Sequence, residues 1–366
     1  MNNNGLSGLL NLGNTCYINT ILQCLSHTNL FTNEILNDNK YLKIIEQNIN
    51  NNNFKLLQKK ENSLFINYYI IIKLLWNNCS IINPSNFCSL IFKLSNDLKR
   101  HQQGDAGEFF DFIINRIDEE LSYQIDINKN NQNTNNIDSI LKKRIDKSIN
   151  YYTSCLKQND IYVFSFIKQN FYGLKNTKVL CSECKTITES FEMFLSLQLH
   201  IEDEIDTISI TDCLKNYIKK NILKNENSFY CKKCDKLVNR CYTWMKLWNT
   251  PNIMVIQLSR FINNNDITKK INNPVNININ INIKTYIDSK YAKYLENNNT
   301  CFEYSLYASC CHTGSLNSGH YFAIINYNDN WYKIDDNNVY LLNDILSVYK
   351  LLNKYSYILF YKKNIL

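Results

Sequence analysis

Cys16 stands in the stretch NLGNTCYINT, just after a glycine-bearing turn and at the start of an apolar-periodic segment. A thiol at the positive end of a helix is eased toward the thiolate, and a cationic partner brings its pKa into the range of about 3.5–7.5. The partner such a thiol needs is a base. Of the histidines His27, His101, His200, His312 and His320, the last lies in NSGHYFAIINYNDNWYKIDDN. That stretch predicts a strand from His320, a two-residue turn at Asn328–Asp329 and a returning strand that sets Asp335 opposite Phe322. His320 is then the same-face diagonal neighbour of Asp335, and the carboxylate can hold the ring in one tautomer and orientation. A thiolate, an imidazole and an orienting acid are the parts of acyl transfer. The reaction also needs N–H donors for an oxyanion, and the Cys16 backbone N–H and the side-chain amides of Asn11 and Asn14 are candidates. Each feature alone has a plainer reading: most free cysteines are small buried hydrophobes, and an acidic turn beside a histidine can be incidental.

A second constellation is built from LCSECK and YCKKCD, which supply Cys181, Cys184, Cys231 and Cys234. A CxxC knuckle offers two thiolates on one tight turn, and two knuckles close a tetrahedral structural Zn²⁺ site. No further His or Glu accompanies the set, so the reading is structural zinc. The other cysteines, Cys24, Cys79, Cys88, Cys155, Cys213, Cys241, Cys301, Cys310 and Cys311, read as core or surface thiols.

These residues must be positioned by something. Ile18, Ile21, Leu22 and Leu25 recur at i, i+3, i+4, i+7, so residues 15–27 predict an amphipathic helix with Thr15 as N-cap. Residues 64–76, 85–99 and 105–122 read as further helices, the last with Phe109, Phe112, Ile113, Ile117 and Leu121 on one face. From about residue 160 the pattern becomes β-type: IYVFSFIKQNFYGLK, ESFEMFLSLQLHI, NIMVIQLSRF, FEYSLYASCC, HYFAIINY and WYKID. VNINININI alternates strictly and predicts a half-buried strand. Asn-rich stretches at 125–136, 262–273 and 296–300 read as separators. A helical N-terminal third followed by mostly antiparallel sheet is an α+β arrangement.

Composition narrows the class. The 366 residues suffice for one large domain or two medium ones, and 45 % hydrophobic with 13 % aromatic residues is a globular composition. The abundance of Asn, Ile, Lys and Tyr points to an AT-rich coding bias. A net charge of +7 without a dense Lys/Arg run argues against a nucleic-acid partner. The longest apolar run, FINYYIIIKLLW, is too short to span a bilayer, so no membrane partner is expected. The opening MNNNGLSG has neither a basic nor an apolar leader region. A reducing compartment, cytoplasmic or nuclear, is therefore expected, where cysteine clusters mean metal or catalysis.

GLLNLGNTCYINTILQCL and SGHYFAII…WYKIDD together resemble the two signature boxes of the ubiquitin-specific proteases, papain-like cysteine peptidases that remove ubiquitin. QQGDAGEFFDFII resembles that family's Gln-Asp-Ala-x-Glu-Phe helix, MVIQLSRF its Leu-x-Arg-Phe strand, and the CxxC pairs fall where the family carries a zinc ribbon. The ordered boxes cover residues 5 to 361. The resemblance implies a papain-like fold: a helical thumb (about 1–150), zinc-ribbon fingers (about 160–260) and an antiparallel β palm (about 151–160 and 261–366).

It also implies roles. Cys16 matches the nucleophile, His320 the general base and acid, and Asp335 the orienting residue, with Asp336 as an auxiliary. Asn11 matches the oxyanion-hole side chain ahead of Asn14. Asp105 matches an acid that contacts the arginines of the ubiquitin tail, and Gly319 and Tyr321 flank the channel for its Gly-Gly end. Gly104, Gly107 and Ser259 depart from the usual Gln, His or Gln, and Lys. The implied activity is thiol-dependent hydrolysis after the C-terminal Gly of ubiquitin. Ubiquitin and ubiquitinated proteins are the implied partners, with room for an activating protein. A silent ubiquitin-binding module and a peptidase for another ubiquitin-like modifier are the competing expectations.

Overall fold

The computed structural model describes residues 5–37, 39–50, 60–77, 81–127, 138–202, 206–264, 267–315 and 318–364. The N-terminal part is helical: α1 (Cys16–Ser26), α2 (Asn29–Asn37), α3 (Lys40–Asn50), α4 (Leu64–Trp76), α5 (Ser85–Leu94), α6 (Ala106–Glu120) and α7 (Ser139–Leu156). Every residue of α1 is buried. Its predicted stripe is therefore only part of its packing surface, and Ile18, Ile21, Leu22 and Leu25, all fully buried, contribute about 1.5–3 kcal/mol each. α5 stops five residues earlier than its periodicity predicts. Ser95 Oγ accepts from the N–H groups of Asp97 (3.3 Å) and Leu98 (3.1 Å), and this local turn outcompetes the helix.

The sheets are built from β1 (Gly173–Cys181), β2 (Ile187–Phe194), β3 (Ser196–His200), β4 (Asn221–Cys231), β5 (Lys236–Asn249), β6 (Ile253–Ser259), β7 (Asn280–Asn282), β8 (Glu303–Gly314), β9 (Gly319–Tyr327), β10 (Asn330–Asp335), β11 (Asn338–Leu342) and β12 (Ser356–Lys363). One four-stranded sheet runs β4-β5-β1-β2, all antiparallel. The larger, eight-stranded sheet runs β11-β10-β9-β8-β12-β6-β3, with β7 pairing on β8; only β6–β3 is parallel.

The central strands of the large sheet are buried on both faces. Tyr321, Ala323 and Ile325 of β9 join the core shared with α1, α4 and α6, while Phe322 and Ile324 join a second core on the opposite face. Cys310 and Cys311 divide between the same two cores, as strand alternation requires. Two readings change. The run expected as one strand from Ile161 is interrupted by a helix, Phe166–Asn170, because Ser165 caps it by accepting from Lys168 N–H at 3.0 Å. The alternating VNINININI forms only Val275–Asn276 and β7, although Val275, Ile277, Ile281 and Ile283 do alternate into the second core. The expected separator at 262–273 holds a two-stranded hairpin, Phe261–Asn264 with Ile267–Lys270. Most of the separator at 125–136 lies outside the described residues. Among those residues, no helix is long and apolar enough to cross a membrane.

Candidate active site

The turn before α1 is wound around Asn11. Its Oδ1 accepts from Gly13 N–H (2.9 Å), Thr15 N–H (3.2 Å) and Thr15 Oγ1 (3.3 Å). Gly13 has φ +92° and Asn14 φ +57°, the left-handed backbone that glycine and asparagine adopt most readily. Thr15 stands at the N-cap position, but its hydroxyl accepts from Leu12 N–H (2.9 Å) and so closes the turn rather than capping the helix. Cys16 is thereby the first residue of α1, 4 % exposed. Asn14 points its amide away, donating to the His101 carbonyl at 2.9 Å.

The opposite wall is the β9–β10 hairpin. Its loop is Asn328–Asp329, both with positive φ (48° and 61°), the backbone of a two-residue hairpin turn. Pairing runs from Tyr327↔Asn330 to Ala323↔Ile334, and its continuation sets Asp335 opposite Phe322. His320 Nε2 lies 2.6 Å from Asp335 Oδ1, and the Cys16 thiol is near enough to the same ring to act on its charge. With Nε2 given to Asp335, Nδ1 is the nitrogen left for the thiol. Asp335 first, then Cys16, raise the His320 pKa to about 10, against the opposing effect of burial. Reciprocally, the imidazole and then the Lys333 ammonium, 2.8 Å from Asp335 Oδ2, lower Asp335 to about 2.

Asp336, the second acid of the DD pair, has a φ of +50° and carries its Oδ2 to 4.0 Å from His320 Nε2. Its Oδ2 accepts from Asn11 Nδ2 and its Oδ1 from Asn19 Nδ2, each at 2.8 Å. One hydrogen of the Asn11 amide is thus fixed, and the second remains to serve an oxyanion beside the Cys16 N–H. Sequence reasoning named Asp336 only as an auxiliary and missed Asn19 and Lys333. The signal for Lys333 was its i−2 spacing on the strand, which puts it on the same face as Asp335.

Asp105 caps α6, accepting from Gly107 N–H (2.7 Å) and Glu108 N–H (3.1 Å), and also accepts from Tyr357 Oη (2.8 Å) and, at 3.5 Å, Tyr321 Oη. It lines a groove of about 570 Å³ together with Glu108, Asp111, Gln257, Phe261 and Tyr321. Burial and then Asp105 push the Asp111 carboxyl up to about 6. Gly319 lies at the root of β9. Its carbonyl accepts from Gln103 Nε2 (2.8 Å), and a Cβ there would come within 2.0 Å of His312 Nε2. Glycine is needed for that close approach.

Away from this site, at the tips of the β1–β2 and β4–β5 hairpins, the sulfurs of Cys181, Cys184, Cys231 and Cys234 all lie within 4.8 Å of one another. Cys181–Cys234 and Cys184–Cys231 are 3.8 and 3.6 Å apart. A tetrahedron with metal–sulfur bonds of about 2.3 Å has edges of about 3.8 Å, so the four cysteines fit a thiophilic ion without rearrangement.

Comparison with known proteins places this geometry. Residues 7–361 match the family model described as ubiquitin carboxyl-terminal hydrolase. The chain is 28 % identical over 369 residues to a probable ubiquitin carboxyl-terminal hydrolase 4 of Schizosaccharomyces pombe, covering 98 % of this chain and 58 % of that protein. It is 27 % identical to ubiquitin carboxyl-terminal hydrolase 4 of Arabidopsis thaliana, covering 92 % of this chain and 85 % of that one. Its fold is similar to one in the SAGA Ubp8/Sgf11/Sus1/Sgf73 DUB module bound to ubiquitin aldehyde, with a TM-score of 0.69 and 23 % identity over 99 % of this chain and 70 % of that one. The mixed helix-and-sheet fold is that of solved deubiquitinases, and the chain belongs to the ubiquitin carboxyl-terminal hydrolase family.

Proposed function

We propose that this chain is a thiol-dependent deubiquitinase that hydrolyses the isopeptide or peptide bond after the C-terminal Gly of ubiquitin. The observation that carries the reading is the His320 ring held by Asp335 beside Cys16, in a chain of this family. The Cys16 thiolate attacks the glycine carbonyl. Negative charge grows on the carbonyl oxygen and is met by the Cys16 N–H and the free hydrogen of the Asn11 amide, which Asp336 has already oriented. The His320 imidazolium gives its proton to the leaving amine as the C–N bond breaks, leaving a thioester. The neutral ring then takes a proton from water, hydroxide adds to the thioester, and the ubiquitin carboxylate departs from Cys16. Asp335 holds the ring in register throughout.

The substrate's side-chain-free Gly-Gly end suits a passage bounded by Gly319 and Tyr321, and the acidic groove at Asp105 suits the basic residues ahead of it. Cys181, Cys184, Cys231 and Cys234 would hold a structural Zn²⁺ that ties two hairpin tips into zinc-ribbon fingers; it supplies rigidity, not chemistry. In this reading residues 1–150 form the thumb, about 160–260 the fingers, and about 151–160 and 261–366 the palm. Partners of the kind named with the solved neighbour, assembled around a DUB module, make an activating protein a natural companion, in cytoplasm or nucleus.

The test is labelling with ubiquitin that bears a C-terminal thiol-reactive group, with the adduct mapped by peptide mass. The expected adduct is on Cys16, and Cys16→Ala abolishes both it and turnover of a ubiquitin–fluorophore conjugate. Absence of an adduct from folded, zinc-loaded protein would overturn the hydrolase reading. Preferential labelling by another modifier with the same warhead would reassign the substrate.

A further inference from the structure

At Lys99 the sign of the surface changes. Lys99 lines both the acidic groove that holds Asp105 and a neighbouring open depression of about 480 Å³. Ser89, Lys93, Ser95 and Arg100 also line the depression, and no Asp or Glu does. Asp97, close by in sequence, lines the groove instead.

Local structure brings the cations together. Ser89 and Lys93 are one turn apart on α5 and share a face. Arg100 follows the turn closed by Ser95 Oγ, returns to that face and donates from Nη2 to Ser89 Oγ at 3.0 Å. Lys93 donates to Asn62 Oδ1 at 3.2 Å. Both acceptors are neutral. Lys93, Lys99 and Arg100 are exposed and make no ion pair among the described residues. Like charges held side by side repel one another, and an anionic partner laid across them interacts favourably with each.

The same surface leads to the reacting thiol. Ser89 and Arg100 continue into a small cavity of about 170 Å³ that is also lined by Leu12, Gly13 and Thr15, the turn before Cys16. His101, the residue after Arg100, is tied to that turn through its carbonyl, which accepts from Asn14 Nδ2 at 2.9 Å. A cationic surface thus runs from the rim of the acidic groove to the turn that presents Cys16.

We propose that this surface docks an acidic segment of the protein whose lysine carries ubiquitin. The inference rests on the hydrolase reading and adds a preference among its substrates. The basic tail of ubiquitin takes the acidic groove, and Asp or Glu residues flanking the modified lysine take Lys93, Lys99 and Arg100.

The test uses the full chain with Cys16→Ala, which removes the nucleophile so that substrate is bound and not turned over. The probes are ubiquitin joined by an isopeptide bond to a labelled peptide whose lysine is flanked by Glu, by Ser or by Lys, and labelled ubiquitin alone, each titrated by fluorescence anisotropy. In about 50 mM salt the Glu conjugate should bind about tenfold more tightly than the Ser conjugate, the sum of a few modest exposed charge pairs, and the Lys conjugate more weakly than either. In about 0.5 M salt, which screens exposed charges, the difference should vanish. Lys93→Glu should reduce the preference, and Lys93→Glu/Arg100→Glu should reverse it in favour of the Lys conjugate. Lys99 is kept because it also lines the groove. Each variant is referred to its own affinity for ubiquitin alone, so a general loss of fold cancels from the ratio. Equal binding of the Glu and Ser conjugates at low salt would overturn the inference and leave the hydrolase reading standing. So would a Glu preference that survives the double reversal. Failure to bind ubiquitin or any conjugate would overturn the hydrolase reading, and the inference with it.

Discussion

Asn11 and Asp336 are separated by 325 positions in sequence, yet their side chains meet at 2.8 Å. The contact joins the turn before α1 to the end of the β9–β10 hairpin, and Asn19 of α1 completes it on the other carboxylate oxygen. A single acid thus registers the wall that carries the thiol against the wall that carries the imidazole.

Asp336→Ala should therefore act as a positioning defect. The Asn11 amide would be free to rotate, and the oxyanion would lose an aligned donor. We expect kcat to fall about 10- to 100-fold, less than or equal to the loss of a donor itself, with KM nearly unchanged. Asp336→Asn keeps one acceptor oxygen and should recover part of the rate. Steady-state kinetics on a ubiquitin–fluorophore conjugate decide it. An unchanged kcat in Asp336→Ala would remove Asp336 from the mechanism.

The pH behaviour follows from the two shifted groups. Asp335, lowered to about 2, contributes stability that is present above its ordinary 3.8 and is lost as pH falls through about 2. His320, raised to about 10, contributes stability that is present in full below its ordinary 6.5 and is lost as pH rises through about 10. The pair therefore stabilises the fold fully between about pH 4 and pH 6.5. Turnover of an isopeptide substrate should fall on the alkaline side as His320 loses the proton it gives to the leaving amine. Asp335→Asn removes the largest cause of the shift, so the alkaline limb should move toward neutrality. A limb at the same pH in both proteins would mean that another group sets it.

How much of this was legible in the sequence depends on whether the interaction was local. The β9–β10 hairpin is short-range: Asn328–Asp329 fixes the register, and the register carries His320 to Asp335. The two CxxC knuckles are likewise local turns, and their meeting required only that two hairpins lie in one sheet. Asn11 was harder, because in so Asn-rich a chain one amide resembles another. Only its contacts with Asp336 and the turn N–H groups distinguish it from Asn14. The interrupted strand near Ser165 and the early end of α5 at Ser95 share one cause. A serine hydroxyl competes for backbone N–H groups, and its effect is invisible to hydrophobic periodicity.

Metal removal should separate fold from chemistry. Cys184→Ser or exhaustive chelation should release one Zn²⁺ per chain and lower the melting temperature. Turnover of ubiquitin conjugates should fall far more than alkylation of Cys16 by a small electrophile, because the four cysteines belong to the four-stranded sheet and the His320–Asp335 pair to the eight-stranded one. Equal loss of both activities would mean that the ribbon supports the Cys16 site itself.

The acidic groove gives a binding prediction with a defined sign. Asp111, raised to about 6 by burial and by Asp105, takes up a proton as pH falls through that value, and the groove loses a negative charge. If the basic tail of the substrate passes here, KM should rise on acidification from pH 7 to pH 5.5. Asp111→Asn should show the raised KM at neutral pH and a flatter dependence below it. Asp111→Lys should raise KM further, with kcat changed little, since the groove residues do not touch the reacting atoms. A KM that is independent of pH in the parent chain would place the tail elsewhere.

The helical layer has its own electrostatic anchor, and it predicts a loss of stability rather than of activity. Glu120, fully buried at the end of α6, accepts from Ser63 Oγ (2.7 Å), Leu64 N–H (3.0 Å), Phe65 N–H (2.9 Å) and Arg116 Nε (3.0 Å). It therefore holds the N-terminus of α4 and neutralises a largely buried guanidinium. Glu120→Ala would leave the helix-end donors without their acceptor and that cation with only Glu119, 3.5 Å away, at a cost of about 3–5 kcal/mol. Glu120→Gln retains an acceptor oxygen but not the charge, and should cost less. Urea unfolding of the two variants measures the difference. Because α4 packs against α6 and α6 against α1, Glu120→Ala should also lower the temperature at which Cys16 becomes freely alkylated, while kcat well below that temperature stays near the parent value.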